Sequence, residues 1–198
     1  VCGQVTAAEQ VRQLAQEGLM GERLVAVVFR HPDETGKKYR LATDDDREAF
    51  QKAEAHLEKT VSEWPYLEDP LPTEKPDTED HAVNRLPMYG MPEWKDMFNS
   101  RQQLALVTFL GRIKAAYEDI LQDCTRLTAD VGASPEDLAD AVLAYLTILL
   151  TKQADYNSKL CAWANHGEYV GHTFVRHTLP MNWDYFELNP IGNTGGDW

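Results

Sequence analysis

The sequence is poor in cationic residues, in cysteine and in long apolar runs, and each shortage argues against a class of protein function. Its 198 residues include 19 Lys and Arg against 32 Asp and Glu, a formal charge of −13. Phosphate backbones are bound by clustered cations, so this balance argues against a nucleic-acid-binding surface that works alone. Three cysteines, all far apart in sequence, predict reduced thiols inside a cell. No apolar run approaches the roughly 20 residues of a membrane span, so we predict a soluble, cytoplasmic protein without a membrane partner.

Several motifs of common enzyme classes are also missing. The sequence has no P-loop, no strand-linked Gly-x-Gly-x-x-Gly, no Gly-x-Ser-x-Gly elbow and no His-Glu-x-x-His. The corresponding nucleotide-binding, hydrolase and zinc-protease classes therefore lose support. The chain opens on Val1 without the n-region or h-region of a signal peptide, and we expect it to be a piece of a longer protein.

The pattern that is present predicts an α+β fold, mainly α, organised around a helix that starts at Ser134. Ser134 is a favoured N-cap and Pro135 is favoured at the first helical position. Apolar residues then recur at steps of three and four as far as Trp163, which predicts a buried helix of about 30 residues. We expect Tyr145 and Trp163 to belong to the core.

A second long apolar stripe begins after a cap at Asn99 or Ser100 and runs from Arg101 to Cys124. A short polar stretch containing Gly132 joins it to the helix from Pro135. Short connections favour antiparallel neighbours, so a long antiparallel helix pair is predicted.

The N-terminal residues predict smaller elements. The spacing of apolar residues indicates a short helix over residues 8–17, and the runs 24–29 and 37–43 indicate two strands. The turn residues between these strands predict a β-hairpin. A further helix should begin after a cap at Thr43 or Asp44 and end near Trp64.

The chain from Pro65 to Pro92 carries six prolines among many acidic residues, a composition that disfavours a helix or a central strand. We interpret it as an acidic connector, either a solvated linker or an arm that binds a partner. The predicted organisation is therefore residues 1–64, the connector 65–92, and the helix pair with an irregular aromatic tail over 93–198, together forming one compact domain.

The tail contains groups that occur in catalytic sites. His166, His172 and His177 lie close in sequence, so a metal-dependent hydrolase is conceivable, but their spacing matches no ligand pattern that we can justify. Asp184 and Glu187, together with Asp155 at the end of the long helix, are candidate carboxylates for acid–base chemistry. Caps and hydrogen-bond acceptors are the more ordinary roles for such residues.

Scattered motifs along nearly the whole chain carry a family resemblance. They are Cys2-Gly3, Glu17-Gly18, Leu24-Val25-Ala26-Val27, Tyr39-Arg40, Tyr89-Gly90, Trp94, Asp96, Phe98, Arg101-Gln102, Asp155-Tyr156-Asn157-Ser158, Trp163, Phe174, Pro180-Met181, Trp183-Asp184, Glu187 and Asn189-Pro190. In these residues the chain resembles the large zinc-ribbon-containing, adenine-specific DNA methyltransferases that are often found beside anti-phage genes.

The resemblance implies a role without catalysis for this chain. Such methyltransferases bind S-adenosylmethionine through a Phe-x-Gly-x-Gly-type loop and act on adenine through an Asp-Pro-Pro-Tyr-type loop, and neither is present here. The chain would be an accessory or insertion region between the two loops, inactive alone and without a cofactor of its own. Its partner would be the catalytic methyltransferase domain of the same parent chain, which would supply S-adenosylmethionine, zinc and contact with DNA. Cys2 resembles the last knuckle of the family's zinc ribbon.

Six polar residues lie in the two segments that the resemblance places nearest to the missing catalytic loop, and we predict that they line a substrate or interdomain face. They are Asn157, Ser158, Asn182, Asp184, Glu187 and Asn189. The alternative is an independent acidic protein-interaction module that uses the arm 65–92. A docked accessory region should expose the apolar side chains of the tail, whereas an independent module should bury them.

Overall fold

The structure is a computed structural model, and it describes residues 5–80, 82–129, 132–175, 177–179 and 181–192. The fold is mainly helical, with two small antiparallel strand pairs. The elements in chain order are α1 (Ala8–Gln16), β1 (Ala26–Phe29), β2 (Lys38–Leu41), α2 (Asp44–Ser62), α3 (Arg85–Met88), a 3₁₀ turn (Trp94–Met97), α4 (Ser100–Ala115), α5 (Tyr117–Thr128), α6 (Pro135–Tyr156), β3 (Trp163–Ala164) and β4 (Tyr169–Val170). Within these described ranges, no helix combines the length and the apolar character that crossing a membrane requires.

The N-terminal hairpin and the caps of the helices confirm the local predictions. β1 pairs antiparallel with β2, with Ala26 opposite Leu41 and Phe29 opposite Lys38. The Thr43 hydroxyl accepts a hydrogen bond from the backbone of Asp46, and the Asp46 side chain accepts one from the backbone of Thr43, so a capping box starts α2.

The start of α2 is also tied to the hairpin. Arg40 on β2 forms a salt bridge with Asp46, whose carboxylate therefore serves both the strand and the helix cap. The Arg40 hydrogen bonds, followed by those from Thr43, hold the pKa of Asp46 well below its ordinary value.

The stripe from Arg101 to Cys124 forms two helices instead of one. α4 and α5 meet at Ala116, whose φ of −80° and ψ of −7° depart from helical values. The two halves of the stripe pack differently, because α4 contacts both α2 and α6 whereas α5 contacts mainly α6. The prediction of a long antiparallel helix pair therefore stays a prediction, with one of its partners divided.

The helix after Ser134 begins as predicted but ends at Tyr156, not at Trp163. The carbonyl oxygen of Asp155 accepts hydrogen bonds from both the backbone N–H and the hydroxyl of Thr173, each at 2.7 Å. A distant part of the chain thus caps the last turn. Trp163 instead starts β3, which pairs with β4 in a strand pair that periodicity did not predict.

The expectation that the apolar face of α6 is buried is wrong over part of its length. Tyr145 is 73% exposed, and Leu138, Ile148 and Leu149 are also exposed. An apolar stripe indicates that a helix side is suited to packing, but it does not say whether the packing partner lies within the described chain.

The core is centred on a segment that the sequence favoured as connector. Leu86 and Met91 are buried together with Met97, Leu160 and Leu179. The prediction that no helix lies between Pro65 and Pro92 is wrong at the short helix α3, which carries the buried Leu86. The division of the chain at residues 64 and 92 stays a prediction.

Candidate functional site

The end of α6 and the tail meet the start of α4 in a buried polar network. Asn157 follows α6 directly and is only 4% exposed. Its side-chain oxygen accepts hydrogen bonds from the Gln102 side-chain amide at 3.3 Å and from the backbone N–H of Leu188 at 3.1 Å. One amide side chain therefore connects α6, α4 and the tail.

Glu187 provides the second connection between the tail and α4. One of its carboxylate oxygens accepts from the side-chain amide of Asn99 at 2.6 Å, and the other accepts from Nε of Arg101 at 2.7 Å. Burial disfavours the charge on Arg101, but the hydrogen bond and ion pair with Glu187 outweigh it and raise the pKa of Arg101. The charged pair is thus part of the packing between two segments distant in sequence.

Asn99 holds a double role because it is also the N-cap of α4. Its side-chain oxygen accepts from the backbone N–H of Gln102 at 3.0 Å, and the Gln102 side chain accepts from the backbone N–H of Asn99 at 2.9 Å. This capping box uses the oxygen of Asn99 and leaves its N–H₂ group to reach Glu187 and Tyr185.

The remaining predicted residues divide into interior and surface positions. Ser158 is fully buried, with its hydroxyl oxygen 2.8 Å from that of Thr173. Asn182 donates to the carbonyl oxygen of Cys161 at 3.2 Å. Asp184 and Asn189 are exposed, and Asn189 caps its own turn by accepting from the backbone of Ile191. The polar residues that we predicted to line a face thus mainly belong to an internal hydrogen-bond network that connects α4, α6 and the tail.

The sequence did not assign Asn99, Gln102, Arg101, Tyr185 or Glu22 to this site. The first two carried a signal, since Asn-x-x-Gln is a capping pattern, but that pattern indicates only where the helix starts. Their second partners lie more than 50 residues away, and no local pattern predicts such contacts. Cys2, the predicted remnant of a zinc ribbon, lies outside the described residues.

A cavity of about 330 Å³ opens beside the network. Its walls combine two phenyl rings, two carboxylates, an ammonium group and polar side chains, from Glu22, Phe50, Glu54, Phe98, Asn99, Ser100, Gln103 and Lys159. Lys159 pairs with Glu22 at 3.3 Å, and Ser100 contacts Glu54 at 3.4 Å. The charged groups at the wall therefore already have partners within the chain.

Tyr185 links this cavity wall to the network. Its hydroxyl donates to Glu22 at 2.5 Å and accepts from the Asn99 amide at 3.0 Å. Burial raises the pKa of Tyr185 far above its ordinary value, because it disfavours the charged phenolate. The hydrogen bond to the Glu22 carboxylate raises this pKa further, because ionisation would remove the donated proton.

We expect an alkaline titration to reveal this tyrosine. A phenol with a raised pKa in the folded state stabilises the fold fully below its unfolded pKa of about 10, and this stabilisation is lost as the pH rises above that value. Tyrosinate absorbance should show a late ionisation step in the native protein that Tyr185→Phe removes. Glu22→Gln should shift the step to lower pH without removing it, because burial remains. Identical titration curves for the parent and Tyr185→Phe would contradict the assignment.

The histidines and tail carboxylates do not assemble a catalytic cluster in the described part of the chain. His172 pairs with Asp155 at 2.7 Å, whereas His166 contacts Tyr169. Glu187 accepts a hydrogen bond from Asn99, whereas Asp155 contacts His172, so these two carboxylates do not share a partner. Within the described ranges, no three His, Cys, Asp or Glu residues are arranged to hold a metal ion.

Comparison of the chain with protein-family models, with curated proteins and with solved structures gives no match in any of the three. The resemblance to adenine-specific DNA methyltransferases therefore stays a prediction from the motifs. The geometry itself defines a mainly helical unit whose conspicuous polar residues brace its tail.

Proposed function

We propose that this chain is an accessory region of an S-adenosylmethionine-dependent, adenine-specific DNA methyltransferase that docks on a catalytic domain. The motif resemblance supports the identity of the parent enzyme. The absence of the Phe-x-Gly-x-Gly and Asp-Pro-Pro-Tyr loops from the sequence supports a role without catalysis. The docking role rests on one structural observation, the exposed apolar side chains of the tail.

The tail exposes Phe174, Val175, Trp183 and Ile191, which we call the tail surface. Phe174 and Trp183 are 58% and 59% exposed. Exposed apolar surfaces with polar surroundings commonly mark interaction sites in proteins. An accessory region that normally packs on a catalytic domain is expected to present such a surface.

The tail surface lies on backbone that is fixed to the helical body. The backbone N–H of Phe186 donates to the carbonyl oxygen of Cys161 at 2.9 Å, and that of Leu188 donates to the side-chain oxygen of Asn157 at 3.1 Å. Asn157, Asn182 and Glu187 thus hold the tail in place while apolar rings beside them face outward. In this proposal their work is to position a docking surface, not to contact the adenine.

The alternative, an independent acidic module, predicts a buried tail and a free acidic arm. The arm is instead fastened to the 3₁₀ turn, because Trp94 donates to the carbonyl of Glu74 and Lys95 to that of Pro72, each at 3.0 Å. Pro76 is buried as well. These observations favour docking through the tail over binding through the arm.

Calorimetry with three titrants tests the proposal. S-adenosylmethionine and an adenine-containing duplex at low salt should each show no binding to the chain alone. A separately produced catalytic domain that carries both loops should bind it. Phe174→Ser combined with Trp183→Ser should weaken this binding at least tenfold, because aromatic anchors dominate interfaces. The control Leu67→Ser, at a fully exposed position on the arm, should leave binding unchanged.

Two results would overturn the proposal. Tight, saturable binding of the methyl donor to the chain alone would place a cofactor pocket inside it. Loss of partner binding in Leu67→Ser but not in the tail variant would place the docking surface on the arm and not on the tail.

A further inference from the structure

A second cavity, of about 410 Å³, lies between α1 and α3. It is lined by Arg12, Asn84, Arg85 and Met88. Two guanidinium groups face one cavity in a chain whose formal charge is −13. Guanidinium groups bind the oxygens of phosphate and carboxylate through paired N–H donors.

Arg12 lines the cavity, and the described part of the chain provides no salt-bridge partner for it. It projects from α1, and its guanidinium carbon lies 5.8 Å from the centre of the Tyr89 ring. Its Nε atom is buried and has no hydrogen-bond partner among the residues that the structure describes. A charged group that loses water without gaining a partner is destabilised, and an anion in the cavity offsets that cost.

Arg85 completes the pair from the opposite wall. It is exposed at the first position of α3. Over the described ranges, the salt bridges of the chain include neither Arg85 nor Arg12, although many other Lys and Arg side chains are paired. Both side chains are therefore available to form an ion pair with a ligand.

The two walls are fixed with respect to each other. α1 packs on α3 and on the turn that follows it, where the backbone of Gly90 lies against the carbonyl group of Ala15. The arginines are thus brought together by packing before any ligand arrives, which reduces the entropy cost of binding.

We propose that this cavity binds the dianionic phosphate group of a small molecule. The two positive charges match a phosphate dianion better than the single charge of a carboxylate or a phosphodiester. The surrounding negative charge of the chain repels a DNA duplex but leaves a small ligand free to enter. This site goes beyond the docking role and does not depend on it.

The test follows arginine Nε–H and backbone amide signals by NMR while inorganic phosphate, and separately a nucleoside monophosphate, is added to the 198-residue chain. Both probes should give saturable shifts at Arg12 and around α3. Arg85→Gln should weaken binding at least tenfold, because it removes one of the two charges from an exposed position that is not needed for folding. The control Arg112→Gln removes the same charge from the exposed side of α4 and should leave binding unchanged.

Acetate and a duplex without terminal phosphates serve as comparison ligands. Absence of saturable binding by both phosphate probes would overturn the proposal, and so would binding that Arg85→Gln leaves intact. Stronger, Arg85-dependent binding of the duplex would overturn the small-molecule assignment, since backbone phosphodiesters would then be the ligand.

Discussion

Gly90→Ala is expected to lower the free energy of unfolding by about 2–5 kcal/mol. Gly90 has a φ of +78°, a conformation that costs an L-residue about 1–2 kcal/mol. A Cβ atom at this position would lie 2.4 Å from the carbonyl oxygen of Ala15 on α1. Backbone atoms cannot rotate away as side chains do, so overpacking adds about 1–3 kcal/mol.

Gly36→Ala is the matched control for this substitution. Gly36 has a φ of +84° in the hairpin turn, but a Cβ there would meet no atom within 4 Å. It should therefore show the backbone cost alone. The difference between the two variants measures the contact between Gly90 and α1.

Denaturant unfolding with an unchanged m value gives the two free energies. A chain of this size loses about 2–4 °C in melting temperature per kcal/mol, so Gly90→Ala should melt about 4–20 °C below the parent. Equal losses for Gly90→Ala and Gly36→Ala would show that α1 does not press on the turn after α3. The packing of α1 on α3 would then be wrong.

Local features of the fold were predictable because their signals are local. Asn99 and Ser134 each cap the helix that follows, and Gly36 lies in the turn of the predicted hairpin. A cap depends on residues within about one turn of the helix start, so three or four residues contain the information needed.

The end of α6 was not predictable in the same way. Apolar spacing continues to the buried Leu160 and the half-buried Trp163, but these residues pack for other reasons. Leu160 belongs to the core around α3, and Trp163 stacks on Phe186 with ring centres 4.9 Å apart. The helix stops because Thr173 takes the carbonyl of Asp155, a tertiary contact that periodicity cannot register.

In the candidate site, too, the sequence predicted individual residues but not the tertiary contacts between them. Asn157 and Glu187 were selected as polar residues near a missing catalytic loop, and in the structure both form hydrogen bonds with residues at the start of α4. Their partners, Gln102 and Asn99, are 55 and 88 residues distant. Sequence motifs indicated which polar residues matter, but only the packed chain shows that they contact each other.

Asn157→Ala is expected to release the tail and to cost about 2–4 kcal/mol. The side-chain oxygen of Asn157 is the acceptor for the amide of Gln102 and for the backbone N–H of Leu188. The buried amide of Gln102 costs about 1–3 kcal/mol when it loses its partner, and the part-buried N–H of Leu188 adds about 1 kcal/mol. Asn157 has a φ of −142° and a ψ of 58°, between the helical and β regions, so the measured loss combines the two hydrogen bonds with the backbone preference of this position.

Asn189→Ala is the control for Asn157→Ala. Among the described residues the Asn189 side-chain oxygen accepts from the backbone N–H of Ile191 in an exposed turn, so its loss should cost under about 0.5 kcal/mol. Hydrogen exchange at the amide of Leu188 separates a local from a global effect, because exchange there should accelerate more than in α2.

The same Asn157→Ala variant connects stability to function. If the network positions the tail surface, binding of the catalytic domain should weaken even though Phe174 and Trp183 are intact, because the partner must then pay to order the tail. Unchanged exchange at Leu188 would contradict the hydrogen bond from the tail to Asn157. Faster exchange at Leu188 with unchanged binding of the catalytic domain would show that the hydrogen-bond network stabilises the fold of this chain but is not needed for docking.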